Sequence, residues 1–304
     1  MKKLVILDGH AIIHRAFHAI QPLTTSSGEL VNAVFGFTSM FLNVVEIERP
    51  DCIAVSFDRK EKTFRHHADA NYKANRAKTA DELIAQIRRV YEIVRAFSIP
   101  IFAEKGFEAD DVIATICAKL RDEDLRIVVI SGDRDLLQLV NAKVAVHDLN
   151  GGYRKAVRFD EAAVVAKYGF TPQFVPDFKG LAGDPSDNLK GVAGVGPKTA
   201  SDLIGEFGTL ENIFANLEKI KPTVRAKLES GRDSAMHSKK MATLRRDAPI
   251  NFDLRNCELA EFDREKVESL FADLEFFSLA RRFAKLFPAK NTPAEKVIEQ
   301  PRLF

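Results

Sequence analysis

Carboxylates stand where this chain stops being hydrophobic. Asp8 follows KKLVIL and Asp58 follows CIAVSF. Glu108, Asp110 and Asp111 come just after IPIFAEKGF, and Asp133 and Asp135 follow RIVVIS. Asp184 and Asp187 lie in GDPSDN, directly before a glycine-rich hairpin; Asp177 is the weakest candidate. Residues at the C-terminal ends of β-type runs converge in space when those runs form one parallel sheet. A cluster of ionised carboxylates repels itself unless cations occupy it. Hard oxygen ligands with almost no His or Cys among them select magnesium or manganese. The implied chemistry is two-metal phosphodiester hydrolysis.

The spacing within each group sharpens this reading. In E-x-D-D at 108–111, Glu108 and Asp111 share a helix face, and Asp110 points nearer the strand ends. One or two of them would touch metal directly and the others through water; helix capping by acids is the plain alternative. Asp133 and Asp135 leave a strand on the same side, a costly pairing unless a divalent ion lies between them. In GDPSDNLKGVAGVGPKTASDLI, the residues Leu189, Val192, Val195, Ala200, Leu203 and Ile204 fit two short helices around a tight hairpin. Gly191, Gly194 and Gly196 permit the close turns, and exposed amides there can dock a phosphate without reading a base. Lys190 and Lys198 add positive charge. The segment is not a nucleotide-binding P-loop, because Pro197 interrupts the required G-K-[ST] and no strand precedes it.

KLVILDG predicts a strand ending at Asp8. Residues 32–48 carry Val34, Phe37, Phe41, Val44 and Val45 at helical spacing, Pro50 breaks the helix, and CIAVSFD is the second strand. This βαβ unit makes the two strands parallel. Residues 81–97 form an amphipathic helix, IPIFAE a third strand, and residues 108–120 a helix with acids in its first turn, where helix amides favour them. RIVVISGD and AVHDL are the fourth and fifth strands, and residues 160–168 are helical. Helices and glycine turns dominate from about residue 172. Between strand two and the next helix, residues 59–80 are polar, basic and short of apolar faces. They read as an exposed helical or partly disordered excursion, in which Tyr72, Lys73 and Arg76 could stack on bases and neutralise phosphates.

Composition bounds the rest. The 304 residues are 46% hydrophobic, enough for one large α/β domain with a smaller appendage. The formal net charge is only +2, but it hides a separation. Residues 59–78 carry seven Lys or Arg against two acids, and residues 219–246 nine against two. Basic surfaces beside an acidic pocket suit a phosphate polymer better than a small neutral substrate. Three cysteines without CxxC argue against a disulfide scaffold or structural zinc. No apolar run approaches the roughly eighteen residues of a membrane span. The reading is a reducing, cytoplasmic protein, monomeric and without membrane contact.

LDGHAIIHRAFHA, VSFDRKEKTFRHHADANYKANR, FEADD, ISGDRDLLQL and GDPSDNLKGVAGVGPKTA occur in the order seen in the bacterial 5′-nuclease family. Over residues 3–287 the chain closely resembles the N-terminal 5′→3′ exonuclease domain of DNA polymerase I, which is related to flap endonucleases. The resemblance implies an α/β, PIN-like (Rossmann-like) and mostly parallel sheet with helices on both faces, a helical arch, and a C-terminal helical region with a helix-hairpin-helix. It implies a catalytic core over 1–171 with the arch at 59–80, a DNA-binding region over 172–290 with the hairpin motif at 185–205, and a loose tail over 291–304. The implied activity is a structure-specific 5′→3′ exonuclease and 5′-flap endonuclease. It acts on branched, nicked or 5′-ended DNA in repair and Okazaki-fragment processing.

The family's metal carboxylates map onto Asp8, Asp58, Glu108, Asp110, Asp111, Asp133, Asp135, Asp184 and Asp187; Asp177 matches none. In the implied scheme Asp8, Asp58, Glu108 and Asp110 hold one Mg²⁺ or Mn²⁺, while Asp133, Asp135, Asp184 and Asp187 hold a second. Asp111 works through water, and Lys73 and Arg76 neutralise the transferring phosphate. Tyr72 corresponds to the clamp tyrosine, and Arg15 lies in the region that contacts bent duplex. Relatives often hold K⁺ on the hairpin carbonyls, here those of Val192 and Val195. A polymerase would act in trans if the chain is a separate protein, and in cis if it is a fragment.

Overall fold

The computed structural model describes residues 1–149, 156–259 and 262–288. The expected tail at 291–304 lies outside them. β1 (Lys2–Asp8) is followed by α1 (Gly9–Ala19) and α2 (Asn32–Glu48), which cross back to β2 (Cys52–Ser56). Next come α3 (Phe64–Ala68), α4 (Asp81–Ala96) and the two-residue β3 (Ile101–Phe102). α5 (Ala109–Lys119) leads to β4 (Leu125–Ser131), then β5 (Val144–Asp148), β6 (Val157–Phe159) and α6 (Glu161–Tyr168). The remainder is helical: α7 (Val175–Ala182), α8 (Pro197–Phe207), α9 (Leu210–Ala215), α10 (Pro222–Ala242), α11 (Arg264–Asp273) and α12 (Phe277–Leu286).

Among the described residues these strands make one six-stranded sheet in the order β3-β2-β1-β4-β5-β6. β1 to β5 are parallel, and β6 runs antiparallel to β5. The chain builds outward from β1 in one direction to β3, then restarts on the other side with β4. The crevice beyond the carboxyl ends of β1 and β4 is therefore the topological switch point, where open α/β sheets take ligands.

Alternation along each strand fixes two cores. Leu4 and Ile6 of β1, with Ile127 and Val129 of β4, face α5 and α6 and the helices α7 to α10. Val5 and Leu7, with Val128 and Ile130, face α1, α2, α4, α11 and α12. Burial on both faces explains why these strands read as continuous apolar runs. Residues 264–286 thus return to the face of α2 and α4, where Phe276 meets Phe35 edge-on at 5.3 Å. They pack away from α7 to α10, with which the sequence reading had grouped them.

One element is new and one expectation about local structure is refined. α1 lacked a distinct sequence assignment; it forms because Asp8 caps it by accepting from the Ala11 amide at 3.1 Å, and Ile12, Ile13 and Ala16 are buried. Most residues of the stretch 59–80 are exposed, as expected, but the stretch is anchored rather than loose. It makes the short α3 and a series of turns that fold onto the sheet end, burying Arg65 and Tyr72 to 1% and 3% exposure. Charge pairing, rather than an apolar stripe, holds it down, which is why hydropathy missed it.

Candidate active site

Asp8 ends β1, and Ser131 ends β4 beside it. The Ser131 hydroxyl donates to Asp8 Oδ2 at 2.6 Å and accepts from the Asp133 amide at 2.9 Å. One serine thus ties the first carboxylate to the turn that carries the next two. Asp133 Oδ1 in turn accepts from the Asp135 amide at 2.8 Å. Asp58, just beyond β2, accepts from the Ala109 amide at 2.8 Å, which anchors it to the start of α5. Its own amide donates to His10 Nδ1 at 3.0 Å, so the His10 proton sits on Nε2. Burial holds the His10 pKa below its usual value, in keeping with that neutral ring.

The electrostatics show that these acids share one pocket. Burial first, with Asp58 and Asp133 adding to it, pushes the Asp8 carboxyl up to about 7 against the opposing bonds from Ser131 and Ala11. Burial also raises Asp110 well above the carboxylate range, with Asp133, Asp8 and Asp58 adding repulsion. Asp133 is raised too, first by burial and then by Asp187 and Asp184. Next to this group, Asp135, Asp184 and Asp187 bring carboxylate oxygens within 4.8 Å of one another. The Lys179 ammonium bridges Asp135 and Asp184. Burial would raise Asp184, but Lys179 and Ser186 win and hold it low.

The basic segment closes over the other side. Tyr72 Oη lies 3.0 Å from Glu108 and 2.9 Å from Asp187, although a phenol has a single proton to donate. Lys73 donates to Glu108 at 2.9 Å, and Arg76 to Asp187 at 2.7 Å. Burial alone would lower the Lys73 pKa, yet Glu108 and Asp187 hold it above its ordinary value. Tyr72 is therefore not presented to solvent as a stacking platform: its ring packs with Leu189, Met241 and Ala242. Asp111 is wholly buried. It accepts from Arg65 at 2.7 and 2.9 Å, from the Glu108 amide at 3.1 Å and from the Arg245 amide at 2.8 Å. Its oxygens are committed to protein donors. Asp177 is likewise taken up, by the Leu210 amide at 2.8 Å and Lys239 at 2.6 Å.

The glycine segment joins two helices, but not those the spacing suggested. Residues 185–196 are turns, and the helix before the hairpin is α7, upstream of the expected 185–205. Pro185 and the left-handed Asn188, Gly191 and Gly194 prevent a helix there. Asp184 and Leu189 exchange backbone bonds at 2.8 Å, so the loop that carries Asp187 is itself closed. Val192 and Val195 are buried, and the Val192 carbonyl accepts the Val195 amide at 3.0 Å. Lys190, Gly194, Gly196 and Lys198 are exposed, on the same stretch as the turn. Arg15, with His18 of α1, lines a surface depression beside Gly132 and Asp133.

Sequence reasoning missed Ser131, His10, Lys179 and Arg65. Ser131 alone left a signal, as the polar residue that ends the apolar run RIVVIS. The other three are recruited from helices whose facing partners only the fold supplies.

Residues 3–169 match the 5′-3′ exonuclease N-terminal resolvase-like domain, and residues 170–265 match the 5′-3′ exonuclease C-terminal SAM fold. The chain belongs to the 5′-3′ exonuclease family. DNA polymerase I of Caldicellulosiruptor bescii is 43% identical over 282 residues, which are 92% of this chain and 33% of that protein. DNA polymerase I of Bacillus caldotenax is 40% identical over 297 residues, 97% of this chain and 34% of that protein. The chain thus spans about a third of the length of these relatives. Among solved structures, the T5 5′-exonuclease with zinc ions bound superposes with a TM-score of 0.67 at 18% identity, covering 92% of this chain and all of that one. The likeness confirms the fold: a largely parallel sheet between helices, with a helical C-terminal region.

The donor set here fits a hard divalent cation. Asp135, Asp184 and Asp187 offer only carboxylate oxygens, close together and largely buried, which is a divalent-cation site by its chemistry. Among the described residues no helix is long and apolar enough to cross a membrane.

Proposed function

We propose that this chain is a divalent-metal-dependent, structure-specific 5′ nuclease that cuts DNA at 5′ ends, flaps and nicks. The observation that carries the reading is the meeting of Asp8, Asp58, Asp110 and Asp133 with Asp135, Asp184 and Asp187 at the switch point of the sheet. Carboxylates that crowded stay protonated or paired unless a cation is bound. Asp8, Asp58, Glu108 and Asp110 would hold one Mg²⁺ or Mn²⁺, and Asp133, Asp135, Asp184 and Asp187 a second, with Asp133 between the two sets because it interacts with Asp8 and Asp110 as well as with Asp184 and Asp187. When bound, such a pair supplies an activated water and charge stabilisation at the leaving oxygen. Glu108 stands between the two groups, since Lys73 donates to it and Tyr72 bridges it to Asp187.

The protein's own groups do the rest. Ser131 fixes Asp8 and Asp133 in one geometry. Lys73 and Arg76 neutralise carboxylates in this arrangement and would exchange them for the phosphate of an entering strand, a charge-assisted contact of the same kind. Arg15, in the depression beside Asp133, would hold the duplex backbone near the cut. The hairpin, with Lys190 and Lys198 and the amides at Gly194 and Gly196, would bind the unbroken duplex without sequence readout. K⁺ on the carbonyls of Val192 and Val195 would belong to that contact.

In this division of labour residues 1–171 supply chemistry and residues 172–290 hold DNA, although one apolar core runs through both. A DNA polymerase, in cis or in trans, is the natural partner, since the relatives matched are DNA polymerases I. Repair and Okazaki-fragment processing are the settings such substrates imply. A metal phosphatase would explain the acids but leave the hairpin and both basic stretches without a role. A labelled 5′-flap, a blunt duplex and a free nucleotide, each with Mg²⁺ or EDTA, separate the readings. Flap cleavage that EDTA abolishes and Mg²⁺ restores supports the nuclease. Cleavage of the nucleotide alone, or flap cleavage that persists in chelator, sinks it.

A further inference from the structure

Arg65 lies in a basic stretch, yet among the described residues it is one of the most deeply buried side chains. All five of its N–H donors are used. Nε donates to the Met241 carbonyl at 2.7 Å; Nη1 donates to Glu108 at 3.1 Å and Asp111 at 2.7 Å; Nη2 donates to Asp111 at 2.9 Å and the Thr243 carbonyl at 3.0 Å. One edge of the guanidinium therefore grips the acids at the start of α5. The other grips the carbonyls at the end of α10, where the helix dipole favours a cation.

Its neighbours repeat the pattern. The Gln138 amide donates to the carbonyls of Asp135, at 2.9 Å, and Ala242, at 3.0 Å, and its oxygen accepts from the Leu244 amide at 3.0 Å. Asp111 accepts from the Arg245 amide. Each residue from 241 to 245 thus gives one backbone group to a side chain of the carboxylate end of the sheet. The rest of α10 braces the hairpin. Lys227 donates to the Gly194 carbonyl at 3.0 Å, Gly231 lies against Val192, and Ser238 accepts from the Gly191 amide at 3.1 Å. From 227 to 241 a helix spans roughly 21 Å.

We infer that Arg65 is a positioning residue that couples α10, and through it the glycine hairpin, to the carboxylate centre; this rests on the nuclease reading above. A buried ion pair alone is weak evidence for stability, since an apolar replacement of the same shape often serves as well. What an apolar side chain could not do is hold Glu108 and two α10 carbonyls in one rigid fork. A duplex seated on the hairpin and α10 then orders Glu108 and Asp135. By reciprocity, a cation among the acids steadies residues 241–245.

The test uses the full chain and hydrogen exchange read by mass spectrometry, with and without saturating Mg²⁺ whose binding is followed by calorimetry. The amides of Leu244 and Arg245 should exchange about fivefold or more slowly when Mg²⁺ binds, while those of α11 and α12 on the opposite sheet face do not change. Arg65→Lys keeps the charge and loses the fork. It should melt within a few degrees of the wild type in EDTA, bind Mg²⁺ about tenfold more weakly, and lose the slowing at Leu244 and Arg245. Wild-type exchange at these two amides that is unaffected by bound Mg²⁺ overturns the coupling. So does an Arg65→Lys protein that binds Mg²⁺ and slows exchange like the wild type. If Arg65→Lys does not fold, the wild-type exchange decides alone. A wild type that leaves the 5′-flap intact defeats the nuclease reading, which the exchange measurement does not depend on.

Discussion

Asp8→Asn should make the metal-free protein more stable, although it removes a central acid. The Asp8 carboxyl titrates at about 7 in the fold against 3.8 unperturbed, chiefly because it is buried. The gap is about 3, and at about 1.4 kcal/mol per pH unit, ionised Asp8 costs the folded state roughly 4 kcal/mol above pH 7. Asparagine keeps the cap, since its amide oxygen can accept from Ala11, and its NH₂ can donate to the Ser131 hydroxyl. Allowing for imperfect replacement of that bond, the gain should be about 2–4 kcal/mol, or a melting temperature higher by roughly 5 °C. The sign follows from a raised folded pKa. Below about pH 4 Asp8 is protonated in both states and the variant gains nothing; the gain grows as pH rises through about 7 and is then constant. Thermal melts in EDTA from pH 4 to pH 8 measure it. With millimolar Mg²⁺ the difference should shrink or reverse, because cation binding stabilises the wild type and the variant has lost a ligand. An Asp8→Asn protein that melts at or below the wild-type temperature at pH 8 in EDTA refutes the argument that burial and crowding strain this carboxylate.

Asp133→Ala should lower flap cleavage by ~10²-fold or more while leaving the melting temperature in EDTA unchanged or higher, because a half-buried carboxylate with a raised pKa is removed; cleavage near the wild-type rate would take Asp133 out of the site. Gly191→Ala and Gly196→Ala should part company. Gly191 has φ +60 and a Cβ there would meet the Gly183 nitrogen at 2.3 Å, so that variant should lose about 2 kcal/mol or more of stability. Gly196 has φ −88 and open space around it, so its variant should melt normally and show any defect only in duplex binding in Ca²⁺. Replacing Lys73 and Arg76 together by alanine should lower single-turnover cleavage of bound flap more than it lowers affinity. A variant that loses only affinity and cuts normally at saturation would make the pair a steering surface.

The chemistry was legible in the sequence because its parts are local. Asp8, Asp58 and Asp133 stand just where apolar runs end, and a parallel sheet must bring such ends together. α2, α4 and α5 could be placed to within a residue or two because apolar spacing and first-turn acids are properties of a single helix. The two cores were implicit in strands that are apolar on both faces. What the sequence could not determine is how each acid is spent. Asp111 and Glu108 belong to one short motif, yet Asp111 is taken up entirely by Arg65 and the amides of Glu108 and Arg245, while Glu108 is shared among Arg65, Tyr72 and Lys73. Tyr72 sits in a polar, basic stretch and is nonetheless buried, because its partners Leu189, Met241 and Ala242 arrive from more than a hundred residues away. Such pairings carry no period in the sequence. They exist only once α10 has returned its end to the sheet, and there the low dielectric makes every unpaired charge expensive enough to dictate its partner.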